Sequence, residues 1–323
     1  MPSAEPYTGL DERVWTWIDV PGAVCLDGSA TGIGVSRGSS SDVLVFFMGG
    51  GACWDFLTCW TLGTAVTTYG EAAFDAAPPT VGVLDRGDAK NPFRDWTMVF
   101  VPYCTADLHA GTNVIDYSAG EVTKTAHHVG AANVEAWLAR LVATFPSPAR
   151  LVVAGSSAGG YGATLQYDHL RRAFAPAASW LVDDSGPLLE GASINDSLRT
   201  AWFDHWHLAD VTEPVCGTTC RDDLSAMYTK LAERWPDDGM SLLSSTFDTV
   251  IESYLGLAPT DFQAALQALA NDVFAAAGVR WFYVVDTTHT MLGNPASFTA
   301  GGVELRDWLK AMLDGPSWTS KGP

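Results

Sequence analysis

Positive charge is scarce in this chain: 18 Lys and Arg stand against 37 Asp and Glu in 323 residues, a formal net charge of −19. A field of that sign repels nucleic acid and anionic membranes at long range, so neither is an expected partner. The acidic residues are spread along the chain rather than gathered in a block, and the charge reads as a solvated surface with no function of its own. Long apolar runs are missing too. No stretch approaches the roughly 18 uninterrupted apolar residues of a membrane span, and the opening "MPSAEPYTG" has neither the basic nor the apolar region of a signal peptide. There is no internal repeat or low-complexity tract. What remains is a chain with 47% hydrophobic residues, enough for a sizeable core, and one domain over residues 1–323 is expected.

Six cysteines lie at positions 25, 53, 59, 104, 216 and 220. Cys53 and Cys59 flank "WDFLT", and Cys216 and Cys220 flank "GTT", so each pair can close a small loop and leave Cys25 and Cys104 for each other. Such a pattern implies an oxidising compartment, and secretion to an extracellular or periplasmic space is expected, with any signal peptide already removed. The alternative is a zinc site with His205 and His207 upstream of "CGTTC", but the spacing fits no standard finger. No metal or other cofactor is expected.

Short apolar, β-rich runs recur at 42–50, 96–104, 150–156, 179–186, 239–246 and 280–286. They read as strands buried on both faces. Helical periodicity falls between or after them at 126–145, 159–174, 261–278 and 301–313. This alternation predicts a mostly parallel sheet with helices on both faces. The segment 187–238 is too long for an ordinary connection and reads as an inserted cap. Its aromatics Trp202, Phe203 and Trp206 are expected to anchor it on the core rather than line a pocket.

The chemistry concentrates at "VVAGSSAGGYGA", residues 152–163. Ser157 is the middle of a Gly-x-Ser-x-Gly between a predicted strand and a predicted helix. A nucleophile elbow needs that context, because the sharp turn strains the serine and only small neighbours leave room. A phosphate-binding loop is disfavoured, since the lysine of that motif is missing. In an α/β hydrolase the order is serine, acid, histidine. Of seven histidines, His289 follows the last predicted strand in "VVDTTHTML" and is the candidate base. Asp248, after the strand at 239–246, is the candidate acid, with Asp183 and Asp184 as rivals. The triglycine after "VLVFF" and the backbone of Ala158 are the expected oxyanion donors.

Taken together, "VCLDGSATG" (24–32), "GGGACW" (49–54), "VPYCTADLHAG" (101–111), "GSSAGGYGA" (155–163) and "DDSGP" (183–187) resemble the pectin acetylesterases, a family that includes plant and bacterial enzymes and the animal carboxylesterase Notum. The resemblance implies an α/β-hydrolase fold and a triad carried onto Ser157, Asp248 and His289, with Gly50, Gly51 and Ala158 matching the oxyanion hole. It also implies disulfides Cys25–Cys104 and Cys53–Cys59. The expected activity is serine ester hydrolysis of a small-molecule or glycan ester, acetylated carbohydrate first. A Notum-like deacylase of lipid or other acyl esters and a catalytically silent binding protein are the alternatives.

Overall fold

Near-continuous apolar runs such as "VLVFF" and "TMVFV" bury both faces of a strand, which only a sheet covered on both sides permits. The computed structural model describes residues 4–315 and 317–322. Residues 1–3, 316 and 323 of the expected 1–323 domain lie outside the described residues. In chain order the strands are β1 (Trp15–Val24), β2 (Ala30–Ser36), β3 (Val43–Phe47), β4 (Thr97–Val101), a hairpin of β5 (Asn113–Ala119) and β6 (Val122–His128), β7 (Arg150–Ser156), β8 (Ala178–Asp184), β9 (Gly239–Ser245) and β10 (Arg280–Val284). All of these but the hairpin join one sheet in the order β1-β2-β4-β3-β7-β8-β9-β10, and the short antiparallel pair Thr299–Ala300 and Val303–Glu304 stands apart from it. It is antiparallel at β1–β2 and β2–β4 and parallel from β4 to β10.

The helices are α1 (Glu71–Ala76), α2 (Gly130–Thr144), α3 (Ala158–Phe174), α4 (Asp196–His205), α5 (Ala209–Cys216), α6 (Thr219–Asp222), α7 (Ala226–Arg234), α8 (Thr249–Leu255), α9 (Pro259–Ala268), α10 (Ala275–Ala277) and α11 (Leu305–Asp314). Alternate side chains of each central strand face opposite layers. Val43, Val45, Phe47, Leu151 and Val153 pack with Leu138 of α2 and Leu165 of α3. Leu44, Val152 and Ala154 pack with Trp308 and Leu309 of α11 and Phe74 of α1. The carboxyl ends of β3, β7, β9 and β10 consequently open on one edge, where open α/β sheets bind ligands.

Some boundaries differ from the sequence reading. The helix expected from 126 begins at Gly130, because residues 122–128 pair with 113–119 across a turn at Gly120, whose φ is +61°. The helix expected over 261–278 passes through a π turn at Leu269–Phe274. The last helix starts at Leu305, after Gly301 and Gly302, both at positive φ. Strands β1 and β2 carry no apolar run like those of the central strands, so the sequence pattern does not mark them. The segment 187–238 holds α4 to α7.

Cys25 pairs with Cys104, Cys53 with Cys59 and Cys216 with Cys220. With both sulfurs of "CGTTC" joined, that motif has no thiolate to offer a zinc ion. His205 Nδ1 instead lies 2.5 Å from the Trp54 carbonyl.

His128 ties the hairpin to the body of the fold. It is buried, with Nδ1 3.0 Å from the Thr105 carbonyl and Nε2 3.2 Å from the Tyr117 hydroxyl. Burial holds the imidazole neutral and lowers its pKa from 6.5 to about 4. The unfolded chain binds a proton here between those values that the folded chain refuses, so this contribution is complete above pH 6.5 and is lost as pH falls toward 4. The unfolding free energy of a His128→Gln variant, measured by urea titration, should therefore rise relative to the parent by up to about 3 kcal/mol between pH 7 and pH 4. A difference independent of pH would contradict this.

Candidate functional site

Strand β7 ends at Ser156, and the chain then turns sharply into α3. Ser157 makes the turn with φ +62° and ψ −127°, a region that a residue with a Cβ adopts only under constraint. The constraint is visible. Its N–H donates to the Asp184 carbonyl at 2.7 Å, and its own carbonyl accepts from the N–H groups of Gly160 and Tyr161 at 2.8 and 3.2 Å. A Cβ at Gly159 would strike the Phe47 carbonyl, and one at Gly155 would strike the carbonyl of Gly159. Those close approaches explain why small residues crowd around the serine.

Across the sheet edge, Asp248 follows β9 and caps α8. Its Oδ1 accepts from the N–H groups of Val250 and Ile251 at 3.1 and 3.2 Å. His289 Nδ1 lies 2.8 Å from Oδ2 and 3.0 Å from Oδ1 of the same carboxylate. A carboxylate without a proton only accepts, so Nδ1 carries the hydrogen and Nε2 keeps its lone pair. Nε2 is buried without a hydrogen-bond partner. The rival aspartates are otherwise engaged. Asp183 accepts from the Thr164 hydroxyl, the Tyr228 hydroxyl and the Gly186 N–H. Asp184 accepts from the Ser156 hydroxyl at 2.7 Å and from the N–H groups of Met291 and Leu292 at 2.9 Å each. Burial pushes both carboxyls above their ordinary pKa, with these donors opposing it.

Ser157 and His289 line one open cavity of about 690 Å³, together with Gly49, Gly50, Gly51 and Tyr254. A second, narrower cavity shares Gly51, Ser157 and Tyr254 with it and continues between Leu108, Ala158, Tyr161, Trp202, Ile251 and Leu255. The glycine loop turns through Gly51 at φ +78°, and the Gly50 carbonyl accepts from the Val66 N–H at 2.8 Å. Ala158 heads α3, where the first N–H groups have no carbonyl in the preceding turn to bond. The aromatics of α4 divide their duties. Trp206 is buried, donates to the Cys53 carbonyl at 3.0 Å and stacks on Trp202 at 5.3 Å, and Phe203 is buried as well. Trp202, expected only to anchor, also walls the second cavity, because α4 lies over the start of α3.

Among the described residues, one group of potential metal ligands comes together, Cys53, Cys59 and His128. Its two sulfurs are the disulfide, so it lacks the thiolates that a metal needs. The sequence reading left two contributors without a role, Tyr254 between the cavities and His109 beneath the glycine loop, and it offered Asp184 as a rival acid, whereas Asp184 joins the Ser156 hydroxyl to the N–H groups of Met291 and Leu292.

Replacing Asp184 by Ala would leave the Ser156 hydroxyl and two buried N–H groups without an acceptor. Denaturant unfolding should then show a loss of about 3 kcal/mol or more. A loss below about 1 kcal/mol would show that the carboxylate does not hold the loop after His289.

Residues 15–245 match the family model described as Pectinacetylesterase. Pectin acetylesterase 11 of Arabidopsis thaliana is 30% identical over 202 residues, covering 59% of this chain and 48% of that protein. Human palmitoleoyl-protein carboxylesterase NOTUM is 32% identical over 152 residues, covering 45% of this chain and 29% of that protein. The chain thus spans about half the length, or less, of these curated relatives. A crystal structure of the Wnt deacylase Notum from Drosophila superposes over 94% of both chains with a TM-score of 0.71 at 19% identity, which shows a shared α/β-hydrolase fold. Asp248 and His289 lie beyond the stretch that matches the family model, within the part of the chain that the fold extends. Because that stretch runs from the first residue of β1 to the last of β9, the chain belongs to the pectinacetylesterase family.

Proposed function

We propose that the chain is a serine carboxylic ester hydrolase working through Ser157, His289 and Asp248. The observation that carries this reading is the pair of buried Asp248 and partly exposed His289, whose unpaired Nε2 belongs to the same cavity as a serine held at positive φ. Ser157 Oγ attacks the ester carbonyl carbon and its proton passes to His289 Nε2, which returns it to the departing alcohol oxygen. Water then attacks the acyl-enzyme, giving its proton to Nε2, which passes it to Ser157 Oγ as the bond from the acyl carbon to Oγ breaks and the acid leaves. Asp248 keeps Nδ1 protonated and stabilises the imidazolium. The N–H groups of Gly50, Gly51 and Ala158 receive the oxyanion in both steps.

The name of the plant relatives, pectin acetylesterase, suggests acetyl esters on carbohydrate, and the family likeness makes acetate the first acyl group to test. The apolar lining of the cavity beside Ser157, from Leu108, Ile251 and Leu255, favours a second reading, with longer acyl chains. The name of the NOTUM relatives, palmitoleoyl-protein carboxylesterase, points the same way. Three disulfides support an oxidising, extracellular or periplasmic setting. The helices of 187–238 act as a cap that closes this cavity through Trp202, on the single domain expected for the chain.

Hydrolysis of nitrophenyl esters from acetyl to long acyl chains tests both readings, with Ser157→Ala beside the parent. Turnover should fall at least about a thousandfold in the variant. Unchanged turnover in a clean preparation would overturn the assignment. Tyr254 stands between the two cavities and its hydroxyl donates to the Thr64 carbonyl, so Tyr254→Ala should join the cavities. Its kcat/KM ratio for octanoyl over acetyl esters should rise about tenfold, the value of one to two buried methylenes. An unchanged ratio would exclude the apolar cavity as the acyl site.

A further inference from the structure

A loop of three consecutive glycines does not hold its own shape. Glycine has the broadest conformational freedom of any residue, so N–H groups carried on Gly49–Gly51 stay aimed only if something outside the loop fixes them. One end is fixed where the Gly50 carbonyl accepts from Val66. The other end is the carbonyl of Met48, and there the partner is a side chain: His109 Nε2 lies 2.8 Å from it. A carbonyl only accepts, so Nε2 carries the hydrogen.

We propose that His109 is a positioning residue that sets the oxyanion-binding glycine loop by donating from Nε2 to the Met48 carbonyl. The role rests on the ester-hydrolase reading above. The peptide plane is rigid, so fixing the Met48 carbonyl also fixes the direction of the Gly49 N–H and the start of the triglycine. Held there and at Gly50, the loop presents the next N–H groups toward Ser157.

The fold invests heavily in this imidazole. Its ring is caged between Phe47, at 4.9 Å between centroids, and Tyr103, at 4.7 Å. Gly162 of α3 leaves the space, since a Cβ there would come within 2.7 Å of the ring. The Gln166 amide donates to the His109 carbonyl at 2.8 Å, and the Leu108 N–H donates to the Tyr103 hydroxyl at 2.9 Å. Asp107 pins the same loop from below, accepting from the Thr105 hydroxyl at 2.6 Å and the Gly130 N–H at 2.7 Å. Three residues of the loop, Ala106, Leu108 and His109, sit at φ between 57° and 59°, and strain of that kind gathers where a group must be aimed. Burial also keeps the ring neutral, lowering its pKa to about 4, and the Met48 carbonyl selects the tautomer with its hydrogen on Nε2.

Two substitutions separate aiming from packing. Phe keeps the ring but has no donor, whereas the Gln amide can place a donor where Nε2 stands. With nitrophenyl esters, His109→Phe should lower kcat by about 10- to 100-fold, short of the full loss of an oxyanion donor, with KM within about twofold. A boronic acid that mimics the tetrahedral adduct should bind more weakly by the same factor. His109→Gln should recover kcat to within about threefold of the parent. Equal loss in both variants, or a kcat for His109→Phe indistinguishable from the parent, would overturn the role while leaving ester hydrolysis intact. A parent without Ser157-dependent turnover would remove the ester-hydrolase reading, and this role with it.

Discussion

Asp184 is the residue on which the arrangement depends. Its main-chain carbonyl holds the N–H of Ser157, and its carboxylate holds the Ser156 hydroxyl together with the N–H groups of Met291 and Leu292. One residue at the end of β8 therefore joins the strained turn after β7 to the loop that carries His289. The carboxylate is fully buried, and its partners among the described residues are neutral donors. Burying a charge is costly unless donors surround it, and the donors here come from the two segments whose relative position matters most. Loss of that carboxylate would loosen both at once.

The rest of the sheet serves the same edge. Because β3, β7, β8, β9 and β10 run parallel, each delivers its following loop to one side. Glycines follow β3, the serine follows β7, the carboxylate that caps α8 follows β9, and the histidine follows β10. The site is assembled from four loops with little contact in sequence, and the packed layers on either face keep them in register. In the proposed site, aiming then falls to buried polar side chains, Asp248 for the imidazole of His289 and His109 for the glycine loop.

Much of this was legible from short-range pattern. The turn at Ser157 announces itself because steric crowding by Phe47 and Gly159 demands small residues in sequence neighbours. His289 and Asp248 follow from chain order and from their places after apolar strands. The parts that were not legible depend on distant partners or on modest patterning. Nothing in "DDSGP" says that Asp184 meets Met291, and nothing in "TADLHAG" says that His109 meets Met48. Strands β1 and β2 are antiparallel and β1 is half exposed, so no continuous apolar run marks them. Residues 126–128 read as helix because the alanine and histidines there continue the following periodicity, while cross-strand pairing with 113–115 decides otherwise. Trp202 is apolar and buried whether it anchors or lines, and only the position of α4 over Tyr161 assigns it both tasks.

The central claim is that Ser157, activated by His289, becomes covalently acylated. Treatment with a fluorophosphonate followed by peptide mapping in a mass spectrometer tests it most directly, because the adduct remains on the nucleophile. A single adduct on Ser157, with Ser156 unmodified and labelling lost in His289→Ala, is the predicted result. An adduct on Ser156, or labelling undiminished without His289, would contradict it.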